Sequence, residues 1–328
     1  MPAPDEFDLI RNLFAPLATD PGALDLRDDA ALVDCPPGHS LVMTTDAIVA
    51  GVHYLPDDAP ELVARKLVRV NLSDLAAMGA IPKGLLLVAS FARNATATWM
   101  EEFAGGLAAD CNTFGVSLLG GDTVATPGPA TFALTAIGMV ETGKELRRSR
   151  AQVGDTIWVS GTIGDGAFGL VAARGEASAL KPNDIAALSV RYRLPEPRLK
   201  LGRALIGIAH AAMDISDGLV GDLGHICEAS GVGAVVNADQ VPLSDAGRAA
   251  IEAGLGQGLA TALTGGDDYE LLFTAPPDAE ERLETLGADL GLRLTPIGEI
   301  ITGSGVRVER ASGKTMTLPA RGYRHFGS

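Results

Sequence analysis

Apolar residues follow two rhythms along this chain. Between Glu61 and Met78 they recur at helical pitch, and Val63, Leu67, Val70, Leu75 and Met78 share one broad face. This predicts a helix that Gly79, and then Pro82, would stop. Further helices are expected over Thr98 to Phe114 and, shorter, over Leu9 to Leu17. Short apolar runs predict strands at Ala30 to Val33, Leu41 to Thr44, Leu85 to Ser90, Val116 to Leu119 and Thr131 to Val140. A Gly120-Gly121 turn would close the fourth of these. The first half thus reads as α+β.

A polar, basic stretch from Glu141 to Gly154 interrupts the pattern and suggests a boundary, giving domains 1–142 and 143–328. Beyond it, Thr156 to Ser160 reads as a strand leading into a glycine loop and a helix. Lys181 to Lys200 is rich in proline and charge and reads as an exposed crossing. A strand at Ala211 to Met213 leads to Asp214. A helix from Leu219 to Ala229 closes at Ser230-Gly231. A strand at Leu271 to Thr274 follows Gly265-Gly-Asp-Asp-Tyr-Glu270. The second half reads as α/β, with no internal repeat or low-complexity segment.

One helix breaks its own pattern. Asp74 and Asn71 fall in the middle of the apolar face of 61–78, where a carboxylate costs several kcal/mol unless paired or metal-bound. Either the helix tilts Asp74 to solvent, or it meets Lys66 or Arg69, or it serves a site. Other acids keep similar company. Asp214-Ile-Ser-Asp217-Gly218 follows an apolar strand, where α/β proteins place ligands; Ser216 or Asp217 as a helix cap is the alternative. Gly120-Gly121-Asp122-Thr123 suits a phosphate with its metal, or a plain tight turn. Thr44-Thr45-Asp46 offers oxygens fit for Mg²⁺, or merely a strand end. Asp28-Asp29 alone would be a solvated turn. Carboxylates converging on one pocket repel unless a cation lies among them. Together they point to Mg²⁺ and phosphate chemistry.

Composition narrows this further. The 328 residues are 47% hydrophobic and only 5% aromatic, with 40 glycines. The formal charge of −15 argues against nucleic acid or an anionic membrane as partner. Cys35, Cys111 and Cys227 form no CxxC pair, which fits a reduced cytoplasmic setting. The acidic start carries no signal-peptide pattern, and no apolar run nears the roughly 20 residues of a membrane span. Gly161 to Gly169 contains a GxGxxG spacing. Only Asp184 offers a loose ribose partner, so a closely packed loop-to-helix turn is favoured over a dinucleotide site. There is no P-loop motif. Arg147, Arg148 and Arg150 suit either a polyphosphate or a solvated linker.

These motifs, in this order and nearly end to end, resemble the thiamine-monophosphate kinases, part of the ATP-binding superfamily typified by aminoimidazole ribonucleotide synthetase. The resemblance rests on Asp28-Asp-Ala-Ala, Thr44-Thr-Asp46, Gly51-Val-His53, Val70-Asn-Leu-Ser-Asp-Leu-Ala-Ala-Met-Gly-Ala80 and Leu119-Gly-Gly-Asp-Thr123. It continues through Arg148-Ser149, Met213-Asp-Ile-Ser-Asp-Gly-Leu219, Gly265-Gly-Asp-Asp-Tyr-Glu-Leu271 and Gly322-Tyr323.

The resemblance implies a two-domain fold. The N-terminal domain would pair its sheet across a homodimer, and a C-terminal α/β domain would complete an ATP cleft. It implies several Mg²⁺ ions on Asp29, Thr44, Thr45, Asp46, Asp74, Asp122, Asp214 and Asp217. ATP would meet Gly121, Asp122, Arg148 and Ser216, and thiamine monophosphate would meet His53, Asp267 and Tyr323. Asp74 and Asp122 would carry the catalytic charge. The implied reaction gives thiamine diphosphate and ADP. A related selenophosphate or purine-pathway synthetase, or a non-catalytic nucleotide or thiamine-phosphate binder, are the alternatives. Two positions depart from the family pattern: Asp267 stands for the usual Glu, and Arg27 for a common glycine.

Overall fold

In a computed structural model describing residues 6–318 and Gly322, the alternating strands of the first half assemble a four-stranded sheet. Its strands are β1 (His39–Val49), β2 (Ile81–Ala92), β3 (Ser117–Thr126) and β4 (Thr131–Glu141), in the order β1-β4-β2-β3. The sheet is mixed: β2 pairs parallel with β3, and β4 runs antiparallel to both β1 and β2. A few turns of mixed helical pitch precede it, starting with α1 (Glu6–Leu9). Helices α2 (Pro60–Ala77) and α3 (Ala97–Phe114) carry the periodic segments. Thr96 caps α3, its hydroxyl accepting from Trp99 N, and left-handed Gly115 ends it. Leu85, Leu87 and Phe91 of β2 and Phe132 and Leu134 of β4 are buried on one face, where Phe103 of α3 stacks on Phe132 at 4.4 Å. The opposite face leaves Met43 66% and Val88 43% exposed.

This first unit spans Met1–Leu75 and Ala80–Gly143, and the second Ala76–Gly79 and Lys144–Ser328. The second holds a six-stranded sheet of order β10-β7-β9-β5-β8-β6. Its strands are β5 (Thr156–Ser160), β6 (Ala211–Asp214), β7 (Gly233–Asn237), β8 (Leu271–Ala275), β9 (Leu294–Ile301) and β10 (Gly305–Glu309). Its helices are α4 (Asp165–Ala173), α5 (Pro182–Arg193), α6 (Leu199–Ala204), α7 (Leu219–Ser230), α8 (Asp245–Glu252), α9 (Leu259–Thr264) and α10 (Glu280–Leu290). Strand alternation sends Ile157, Val159, Met213 and Leu272 into one core with Leu223 and Ile226 of α7. It sends Trp158 and Phe273 into another with Leu201 of α6 and Leu283 of α10. No helix of the described residues is long and apolar enough to cross a membrane.

Several local expectations are corrected. Residues 30–33 form no strand. Thr44, Thr45 and Asp46 lie inside β1 rather than at its end, and Gly120 to Thr123 lie inside β3 rather than in a turn. Residues 181–200 are not an exposed crossing, since α5 buries Leu188 and Tyr192. Its missed signal was an apolar set at helical spacing behind Pro182, a first-turn proline.

Candidate active site

Asp74 sits on α2 between buried Val70 and Leu75, and is itself only half-buried. The hydroxyl of Thr44 donates to its Oδ2 at 2.5 Å. One turn earlier, Asn71 is fully buried: its Oδ1 accepts from Asp46 N at 3.0 Å and its Nδ2 donates to Leu67 O. The helical pitch that puts 71 and 74 on one face thus ties both to β1. Lys66 Nζ donates to His53 O at 3.0 Å, and Arg69 pairs with buried Asp110 at 2.6 Å. The His53 ring is also fixed, because Nδ1 accepts from Val49 N at 3.1 Å. A neutral ring therefore carries its proton on Nε2.

The remaining acids of this unit lie elsewhere on the sheet. Register aligns Asp122 with Val88, Ala133 and Ala47, whereas Asp46 aligns with Leu134, Leu87 and Gly121. Side chains alternate along each strand. Asp122 and Thr45 therefore share the face opposite Thr44 and Asp46. On that face a cavity of about 590 Å³ is lined by Asp28, Asp29, Gly120, Gly121 and Asp122. Within one chain the structure groups Asp29 with Asp122, and Asp74 with Thr44, but does not merge the two groups. Thr45 spends its hydroxyl sideways, donating to Leu134 O and accepting from Thr135 Oγ1. Arg27 has φ −110°, which requires no glycine.

Gly121 is dictated by space. With φ 153°, any Cβ there would lie 1.8 Å from Leu87 O. Gly121→Ala should therefore lower folding stability by about 2 kcal/mol or more. A urea midpoint equal to wild type would contradict that close approach.

In the second unit, buried Asp214 ends β6 and the next turn is held by an acid the sequence reading missed. Asp222 Oδ2 accepts from Ser216 N, Asp217 N and Gly218 N, each at 3.1 Å. Neither Ser216 nor Asp217 caps α7: Gly218 stands at its N-cap with no side-chain cap bond, and first-turn Asp222 instead holds the turn that precedes the helix. Burial pushes its carboxyl up to about 7, with Asp217 adding to the shift and the three amides opposing it. The only sequence signal was an acid in the first turn of a helix. Alongside, Asp267 N donates to Ser216 O at 2.9 Å and Tyr269 N to Ile215 O at 2.8 Å. Gly322 abuts Asp217 O. Tyr323 lies outside the described residues.

The glycine loop before α4 is already filled. Gly164 N and Gly166 N donate to the two carboxylate oxygens of fully buried Asp268 at 2.7 and 2.9 Å. These are the amides a pyrophosphate would use, so the loop packs an internal carboxyl group rather than a dinucleotide. Burial raises the Asp268 carboxyl to about 8 against those amides. The folded protein then holds a proton that the unfolded chain releases near pH 4. Folding stability from this group is therefore lost as pH rises between about 4 and about 8. Asp268→Asn should flatten that slope; a variant whose urea midpoint varies with pH as in wild type would contradict the assignment.

Of the three linker arginines, Arg147 and Arg150 both pair with Glu145, at 2.5 and 3.2 Å. Arg148 alone among them has no acidic partner among the described residues, and its side chain is exposed. It is the one arginine of this stretch available to an incoming anion.

The N-terminal domain model of AIR synthase related protein matches residues 27–140, and the C-terminal domain model matches 152–310. The chain is 42% identical to thiamine-monophosphate kinase of Caulobacter vibrioides over 98% of its own length and 91% of the relative's. It is 41% identical to that of Haemophilus influenzae, over 98% of each. Among solved structures, thiamine-monophosphate kinase of Stenotrophomonas maltophilia aligns with TM-score 0.80 and 43% identity, covering 89% of this chain and 91% of that one. A complex described as AaThiL with AMPPCP and TMP aligns with TM-score 0.79 and 31% identity, covering 98% and 96%. The hydrogenase maturation protein HypE, at 20% identity and TM-score 0.77, shares the fold.

Proposed function

Because the chain belongs to the AIR synthase related family and, within it, to the thiamine-monophosphate kinases, we propose that its clustered carboxylates serve Mg²⁺-assisted transfer of a phosphoryl group between two anions. The reaction is the ATP-dependent phosphorylation of thiamine monophosphate to thiamine diphosphate, a kinase step of thiamine biosynthesis. A phosphate oxygen of thiamine monophosphate attacks the γ-phosphorus, the bond to the β–γ bridging oxygen breaks, and ADP leaves with the electron pair. That oxygen is already largely anionic near neutral pH, so no strong general base is needed. The obstacle is repulsion between the reactants.

The observation that carries this reading is Asp74, an acid on an apolar helix face with the Thr44 hydroxyl 2.5 Å away. The donors here are carboxylates and a hydroxyl, hard oxygens that suit Mg²⁺. Among the described residues no group of three or more His, Cys, Asp or Glu forms a ready-made metal site. Phosphate oxygens would complete the coordination. Bound Mg²⁺ would neutralise phosphate charge and stabilise charge spread over the transferring group.

Within this reading, Asp29, Thr44, Thr45, Asp46, Asp74, Asp122, Asp214 and Asp217 hold metal, and Asp74 and Asp122 carry the charge balance of the transfer. Gly121, Asp122, Arg148 and Ser216 contact ATP; His53, Asp267 and Tyr323 contact the acceptor. Residues 1–142 supply the ATP, metal and dimer contacts, and 143–328 the rest of the active site. The open, partly apolar sheet face at Met43 and Val88 supports a homodimer. Three free cysteines support a cytoplasmic setting. Incubation with ATP, Mg²⁺ and thiamine monophosphate should yield thiamine diphosphate. Binding without product would favour a sensor, and ATP loss only with selenide or a purine intermediate would favour a synthetase.

A further inference from the structure

The stretch from Gly265 to Leu271 carries strain that no role above explains. Asp267 and Tyr269 have φ of 70° and 51°. Residues other than glycine adopt that left-handed region only at a steric cost. Such a backbone persists only where its surroundings hold it: Asp267 N and Tyr269 N donate to Ser216 O and Ile215 O, and the side-chain part of the hold runs through Glu270. This carboxylate is fully buried. It accepts from Arg198 Nε at 2.6 Å and from Arg198 Nη2, from Arg191 Nη2 at 2.9 Å, and from Ser160 Oγ at 2.5 Å. Arg191 Nη2 also donates to Asp268 O at 3.2 Å, and Leu271 N donates to Ser160 Oγ at 2.9 Å. Gly161 leaves no slack, since a Cβ there would lie 2.2 Å from Glu270 Oε1.

Two guanidinium groups bond this one buried carboxylate, and Glu196 adds a second negative charge acting on Arg198. A buried ion pair is in any case a poor source of stability compared with apolar packing. What the two-pronged Arg198 fork does supply is fixed geometry, and Arg191 adds one Nη2 that bridges Glu270 and Asp268 O. They anchor the chain on the C-terminal side of both strained residues.

We propose that Arg198 and Arg191 are positioning residues for the phosphate acceptor: through Glu270 they lock the left-handed Asp267–Tyr269 backbone, so that the Asp267 carboxylate is presented in one fixed orientation. This rests on the reading of Asp267 as an acceptor contact. The arginines themselves act on the loop and not on the reacting atoms.

Arg198→Lys keeps the charge and loses the fork. It should raise KM for thiamine monophosphate about tenfold or more, leave KM for ATP within about twofold, and speed amide exchange at 266–270 but not in β5 or β6. Unchanged exchange at 266–270, or both KM values rising in step, would overturn the proposal. Should Arg198→Lys fail to fold, Ser160→Ala removes one contact without touching charge and must show the same split, more weakly. The exchange measurement judges the clamp by itself. Wild-type protein that forms no thiamine diphosphate would instead overturn the acceptor assignment, and Arg198's part in the reaction with it.

Discussion

Asp74→Asn should fold like wild type and lose turnover by about a hundred- to a thousandfold, the scale of deleting one preorganised charge-stabilising group. The substitution is nearly isosteric, and an amide Oδ1 can still accept the Thr44 hydroxyl that now donates at 2.5 Å. What disappears is a negative charge on an otherwise apolar helix face. In the folded protein without nucleotide that charge is a cost, because partial burial strips its hydration. The thermal midpoint of the variant should therefore equal or exceed that of wild type. In the reaction the charge is needed, because two phosphate-bearing anions must meet and only cations held by fixed carboxylates relieve their repulsion. Stability and activity should move apart. Single-turnover formation of thiamine diphosphate, alongside circular dichroism, measures both. A folded Asp74→Asn protein with near-normal turnover would remove Asp74 from the site.

Asp74 was legible because one residue disagreed with its neighbours. Val63, Leu67, Val70 and Leu75 set a helical face, and a carboxylate inside that face needs a reason. Strand acids gave no such signal. Thr44, Thr45 and Asp46 are adjacent in sequence, yet alternation turns Thr45 away from the other two, and only the register with β4 fixes which side each takes. Asp122 looked like a turn residue because two glycines precede it. The strand continues through them because at Gly121 the chain passes too close to Leu87 O for any side chain. Asp222 showed only as a first-turn acid, and Asp268 was invisible for another reason. An acid that binds backbone amides of a distant loop leaves no local pattern, and here Asp268 reaches Gly164 and Gly166 across about a hundred residues. Periodicity gave β1 to β4, α2 and α3 in the first unit and β5, α4, β6, α7 and β8 in the second, but not β7, β9, β10 or the helices α5, α6, α8, α9 and α10. The charge network that fixes the 265–270 loop could not be read this way, because Glu270 lies 79 and 72 residues along the chain from Arg191 and Arg198.

That network carries the largest expected loss of stability in the protein. Glu270→Ala should lower the free energy of unfolding by about 3–5 kcal/mol, the range for removing one member of a buried ion pair. The side chains of Arg191 and Arg198 are only 22% and 18% exposed. With Glu270 gone, two partly buried guanidinium groups would lose the carboxylate they share, and Arg198 would be left with the charge of Glu196. Ser160 Oγ would lose its acceptor while still holding Leu271 N. The left-handed turn at Asp267 and Tyr269 would lose its anchor at the same time. A double-mutant cycle separates these contributions: adding Arg198→Met to Glu270→Ala should recover part of the loss, because it removes one of the stranded charges. Urea midpoints for the single and double variants test this. If Glu270→Ala unfolds within about 1 kcal/mol of wild type, the two arginines reach solvent or another partner readily, and the carboxylate is not what holds the loop.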